Sequence, residues 1–137
     1  MKYLYGLLLA IILLSGCGKD EGFIPDVAVN FNLPLTDPRL SRLSSPGGAV
    51  LIPGYGIAGI VIYRKTDYGY VAFDRCSTVN PEQKCAVTLD DPSLTVTDPC
   101  SGAKFLLEDG SPVKAPAVRS LRQYTVAISG LNLHVTN

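Results

Sequence analysis

From residue 27 onward no window sustains a helical period over three turns. Short runs of β-branched and aromatic residues recur instead, each closed by Pro, Gly, Asp or Ser. Such runs suit a pleated, half-buried surface, and their close spacing leaves little room for crossover helices. Val27, Val29, Phe31 and Leu33 alternate with Ala28, Asn30 and Asn32, the period of a strand with one buried face. Ala49–Ile52, Ile57–Arg64, Tyr70–Asp74, Cys85–Leu89, Leu94–Thr97 and Lys104–Leu107 are further strand candidates. Tyr124–Ile128 and Leu131–Val135 form a closing hairpin over Ser129-Gly130. Residues 35–48 read as a loop, and Glu108-Asp109-Gly110 as a turn in which Gly accepts positive φ. Ten prolines and thirteen glycines supply the turns that so many short strands need. The expected fold class is all-β, an antiparallel sandwich or barrel.

The first sixteen residues belong to a different class. Lys2 precedes an apolar stretch, Leu4 to Leu14, that is shorter than the roughly 20 residues of a membrane span. Leu14-Ser15-Gly16-Cys17 follows, and it resembles a bacterial lipobox: an aliphatic residue, two small residues, then the lipid-accepting thiol. The resemblance implies a signal peptide over 1–16, a lipidated Cys17 and a polar tether over 17–26. A β domain fills 27–137. Each buried CH₂ contributes about 0.8 kcal/mol, so several acyl chains on Cys17 would hold the protein to a membrane stably. Gly18-Lys19-Asp20-Glu21 resembles the surface-export signal of Bacteroidetes lipoproteins. It implies an envelope location at the outer membrane, with outward exposure as one arrangement and an ordinary solvated tether as the other.

Loss of residues 1–16 removes one charge, Lys2, and takes the formal net charge from 0 to −1. No basic run is present, so neither nucleic acid nor an anionic lipid surface is an expected partner. The remaining length suits one core. With Cys17 used for lipid, Cys76, Cys85 and Cys100 remain; three thiols allow one disulfide and leave one free.

From about Gly59 to Val135 an ordered series of short motifs resembles the Rieske domain, a small β fold that holds a [2Fe–2S] cluster between two loops. Tyr70-Val71-Ala72-Phe73-Asp74-Arg75-Cys76 is similar to the strand entering the first loop, and Val96-Thr97-Asp98-Pro99-Cys100-Ser101-Gly102-Ala103-Lys104-Phe105 to the second loop and its exit strand. Glu108-Asp109-Gly110-Ser111-Pro112-Val113 matches the following turn, Lys114-Ala115-Pro116-Ala117 the proline-bearing loop over the cluster, and Leu121 to Tyr124 the opening of the final hairpin.

The resemblance implies ligands arranged as Cys-x-His and Cys-x-x-His. Here those four positions are Cys76, Thr78, Asp98 and Ser101. The cluster needs two imidazoles, and the chain has a single histidine, His134, in the last strand. Neutral hydroxyls and a hard carboxylate do not replace imidazole and thiolate on iron. No cluster is therefore expected, and no other cofactor. In many members of the family the cysteine at the position of Cys100 is disulfide-bonded to the first loop. That implies Cys85–Cys100, with Cys76–Cys100 as the competing pair.

Other groupings are weaker. Cys76, Asp98 and Cys100 lack a fourth zinc ligand and the spacing of a common zinc motif. Asp90-Asp91 and Glu108-Asp109 read as turn residues. Tyr55, Tyr63, Tyr68 and Tyr70 suit either strand packing or contact with a glycan or protein partner. The leading expectation is a non-catalytic, cluster-less, Rieske-like envelope lipoprotein that binds an unidentified envelope protein or glycan or serves a structural role. An electron-transfer protein with a [2Fe–2S] centre is the alternative. Thiol redox chemistry by Cys76, Cys85 and Cys100 is a third.

Overall fold

A computed structural model describes residues 23–137. Residues 1–22, with the expected signal peptide, Cys17 and the start of the expected tether, lie outside the described residues. The described chain builds two antiparallel sheets. Strands β1 (Asn30–Pro34), β2 (Ala49–Ile52), β3 (Ile60–Arg64), β4 (Tyr70–Asp74), β9 (Gln123–Ser129) and β10 (Asn132–Thr136) form the larger one, in the order β1-β10-β9-β4-β3-β2. Strands β5 (Thr88–Leu89), β6 (Thr95–Thr97), β7 (Lys104–Leu106) and β8 (Pro112–Lys114) form the smaller one in sequence order.

Strands β3 and β4 are buried on both faces, and period two divides their side chains between two cores. Ile60, Ile62 and Ala72 join Val29, Phe31, Val50, Ile52, Tyr124, Leu133 and Val135 in the first core. Both edge strands, β1 and β2, contribute to it, so the six-stranded sheet curls round into a half-barrel. Val61, Tyr63, Val71 and Phe73 point the other way. They meet Val87, Val96, Ala103, Phe105, Leu107 and Leu121, which fastens the smaller sheet to the larger.

The registers gather one end of the large sheet into a junction. The start of β1, the end of β10, the start of β9, the end of β4 and the start of β3 all lie there. The chain leaves this end after Asp74 to enter the first loop. It returns there at Leu121, whose backbone N–H bonds to the Gly110 carbonyl. Gly110 has φ +79, and a Cβ on it would come within 2.6 Å of the Phe73 ring, so the turn needs glycine for both reasons.

Five local departures from the sequence-based expectations have physical causes. Pro38–Ser44 is a 3₁₀ turn rather than plain loop; Asp37 caps it through the Arg39 N–H, and Leu40 and Leu43, three apart, cover the first core. Ile57 and Ala58 stay out of β3 because their N–H groups bond to the Asp74 carboxylate. Cys85 and Ala86 stay out of β5 because this segment pairs back with residues 75–77. Pro112 opens β8, which is an edge strand where a missing N–H costs no ladder bond. Ile24 and Asp26, read as tether, instead pack on the domain: Ile24 is buried and Asp26 pairs with Arg122.

Candidate functional site

The two loops that the family resemblance singles out meet at the tip of the smaller sheet. The first runs from Arg75 to Val87, and its base is tied by Val87 N–H to Arg75 O and by Arg75 Nε to Val87 O. The second turns through Asp98–Ala103, with the Asp98 N–H bonded to Ala103 O and the Gly102 N–H bonded to Asp98 O.

Asp98 holds the loops together. It is fully buried, and its carboxylate accepts three bonds. Ser77 Oγ of the first loop donates to Oδ2 at 2.7 Å, and Ser101 Oγ donates to the same oxygen at 2.6 Å. The Cys100 N–H donates to Oδ1 at 2.8 Å. Both hydroxyls also accept a backbone N–H, from Val79 and Ala103. Burial pushes the Asp98 pKa upward, but the bonds from Ser101, Ser77 and the Cys100 N–H outweigh it. The carboxyl ends below its ordinary value and is ionised at neutral pH.

The other two substituted positions are equally committed. Thr78 Oγ1 donates to the Arg119 carbonyl at 2.8 Å, which pins the first loop to the segment after Pro116. Cys76 is a fully buried free thiol whose sulfur approaches the carbonyls of Ser77 and Pro81 at 3.7 and 3.6 Å. Burial, reinforced by the negative charge of Asp74, pushes this thiol up to about 11. It is neutral and sheltered at physiological pH. In native protein it should therefore resist a thiol reagent at pH 8 and react fully only in denaturant. Rapid native labelling at Cys76 would contradict the burial.

Of the two disulfide pairings, the structure has Cys85–Cys100, with Cα atoms 6.3 Å apart, inside the ordinary range. It closes a loop of sequence separation 15. Replacing both cysteines by serine should lower unfolding stability by about 3 kcal/mol, the loop-closure value for such a length. Urea titration of the double variant measures this.

Behind the tip lies a second buried carboxylate, Asp74. It accepts bonds from the N–H groups of Ile57 (2.7 Å), Ala58 (3.2 Å) and Cys76 (2.8 Å) and from Tyr124 Oη (2.8 Å). Burial and this bond to Asp74 raise the Tyr124 pKa, so its hydroxyl stays a donor. Gly56, at φ +66, leaves room for the carboxylate where a Cβ would otherwise sit.

The residues do not fit a Rieske cluster. Thr78 and Ser101 are neutral hydroxyls engaged in protein hydrogen bonds, and Asp98 is a hard carboxylate where the cluster needs a thiolate. Cys76 is the single ligand-type residue that matches, and its thiol is held protonated. His134 sits in β10 between Asn32 and Ala127, on the large sheet rather than in either loop. The weighed grouping of Cys76, Asp98 and Cys100 is corrected: among the described residues the donor atoms that gather within 4.8 Å are those of Cys85, Asp98 and Cys100. The tyrosines divide. Tyr63 is core, Tyr55 stacks on Phe31 at 4.1 Å, and Arg64 lies over Tyr70 and Tyr68 at 4.2 and 5.8 Å. Ser77 and Asp74 are the members of the site that sequence reading missed. Each looked like an ordinary loop or strand residue, and only the approach of the two loops gives them partners.

No protein-family model matches the chain, and no curated protein matches it. Solved structures do. The plasma membrane Rieske protein PetC3 from the cyanobacterium Synechocystis PCC 6803 superposes with a TM-score of 0.54 at 20% identity, over 80% of this chain and 98% of that one. The Sphingomonas yanoikuyae B1 ferredoxin gives 0.49 at 18% identity, over 72% and 96% of the two chains. The ferredoxin of carbazole 1,9a-dioxygenase from Nocardioides aromaticivorans IC177 gives 0.46 at 22% identity, over 66% and 86%. The superposition on PetC3 takes in nearly all of that protein, and the fold that the motif order resembled is the one this chain adopts: a Rieske-like domain.

Proposed function

We propose that the protein is a cluster-less Rieske-like envelope lipoprotein, anchored through Cys17, whose domain works as a non-catalytic binding or structural module. The observation that carries this reading is the Ser77–Asp98–Ser101 network. It joins the two loops at the positions where a cluster would join them. A carboxylate with three donors and a disulfide beside it do mechanically what two irons and two sulfides do elsewhere in the fold, without iron. The partner is an envelope protein or glycan met at the loop tip or the outer strands, and anchoring through lipid brings the domain to it. The resemblance of the Lys19-Asp20-Glu21 run to a surface-export signal supports an outer-membrane location, with the domain facing inward or outward.

Two experiments separate the parts of this reading. Protein purified from its own membrane and after anaerobic iron–sulfide reconstitution is expected to be colourless, with iron and labile sulfide far below stoichiometric. A Rieske-type absorbance and electron paramagnetic resonance spectrum would overturn the cluster-less assignment in favour of electron transfer. Metabolic labelling with a radioactive fatty acid is expected to mark the wild type and not Cys17→Ala; equal labelling of both would remove the anchor.

A further inference from the structure

We propose that reduction of the Cys85–Cys100 disulfide turns the loop tip into a binding site for one thiophilic divalent cation of the zinc class. The ligands are the sulfurs of Cys85 and Cys100, one Asp98 oxygen and the side-chain carbonyl of Gln83. The donor atoms of the first three residues already lie within 4.8 Å of one another. Gln83 Oε1 is 4.0 Å from the Cys85 sulfur and supplies the fourth ligand. Two sulfurs about 2.3 Å from a tetrahedral zinc stand about 3.8 Å apart, a separation that modest side-chain rotation reaches after the S–S bond opens.

Reduction need not scatter these groups. The Cys85 carbonyl is held by the Ser77 N–H at 2.9 Å, and Cys76 and Ala86 pair across an antiparallel bridge. On the other loop the Cys100 N–H remains on Asp98 Oδ1. None of these contacts passes through the disulfide. Asp98 lies beside both sulfurs, so one of its carboxylate oxygens is within reach of an ion held by them. Cys100 is exposed and Cys85 half-buried, so both reductant and ion reach the tip. A two-sulfur, two-oxygen set suits a borderline-soft ion such as zinc.

The chemistry balances in two steps. A dithiol reductant gives two electrons and two protons to the disulfide and becomes a disulfide itself, leaving two protein thiols. Each thiol then releases its proton to solvent as its sulfur binds the ion, two protons per cation. Cys76 takes no part, since it lies outside the cluster and is fully buried.

The test uses the soluble domain as isolated with its disulfide, and the same protein reduced and desalted anaerobically. Cadmium is titrated with detection of sulfur-to-cadmium charge transfer in the ultraviolet, and zinc against a coloured chelator. The reduced protein is expected to bind one equivalent with a two-thiolate signature, and the oxidised protein none. Cys100→Ser abolishes the signature while leaving the Asp98 network intact, and Cys76→Ser leaves it unchanged. Gln83→Ala weakens binding by about tenfold, equivalent to about 1.4 kcal/mol. The proposal fails if reduced protein takes up no stoichiometric cadmium, if Cys100→Ser binds as wild type does, or if Cys76→Ser removes binding. The result is independent of iron content and of lipidation, so it fails or stands apart from the function proposed above.

Discussion

Asp98→Ala is expected to lower unfolding stability by about 3–5 kcal/mol, the range for removing one partner from a buried charged hydrogen-bond network. The substitution strands three donors at once: the hydroxyls of Ser77 and Ser101 and the N–H of Cys100. Asp98 is fully buried, so water does not replace the lost acceptor without opening the tip. Urea unfolding followed by circular dichroism measures the loss. A change under about 1 kcal/mol, the size of an ordinary surface substitution, would mean the loops hold without the network. Acid gives a second reading of the same group. The folded pKa of Asp98 lies below the ordinary 3.8, so its ionised form stabilises the fold above that value. That contribution is lost as pH falls through 3.8 toward the folded pKa. Asp90 acts in the same direction, through Thr95, Thr97 and Lys104. Asp98→Asn should therefore flatten the acid limb of the stability profile without abolishing it.

Asp74→Ala is expected to cost as much, about 3–5 kcal/mol, for the same reason at a different place. Four donors converge on this carboxylate, three of them backbone N–H groups that have no ladder partner to return to. Two of those belong to the 54–58 turn and one to the entrance of the first loop. The loss should therefore spread: amide hydrogen exchange is expected to quicken at Ile57, Ala58 and Cys76 more than in β2 or β10. Asp74→Asn should recover part of the stability, because an amide oxygen accepts some of the same bonds. Protection that falls uniformly over the sheet would argue against Asp74 as the local clamp.

These two residues also mark the border between what is legible in sequence and what is not. Most strands could be read directly. Val29, Phe31, Ile60, Ile62 and the rest alternate because a pleated strand alternates, and Ala49–Ile52 and Tyr70–Asp74 begin and end where their side-chain pattern does. The emptied ligand positions were equally legible, since one histidine cannot supply two imidazoles. The short irregular pieces were not. Pro112–Lys114 becomes a strand because an edge of the small sheet accepts a leading proline, and nothing local to those residues announces that edge. Cys85 and Ala86 leave their strand because residues 75–77 lie beside them in space.

Local pattern is enough wherever a residue's role depends on its neighbours in the chain. The alternation of apolar side chains, the turn chemistry of Gly110 and the loss of three of four cluster ligands are of that kind, and the sequence alone determined them. What the side chains at those positions do instead depends on groups far apart in the chain: Ser77 reaching Asp98, Thr78 reaching Arg119, Tyr124 reaching Asp74, and Cys85 rather than Cys76 meeting Cys100. Hydrogen bonds and disulfides act only over a few ångströms, so those choices were made by the packing of two sheets against one another, and only the tertiary structure decided them.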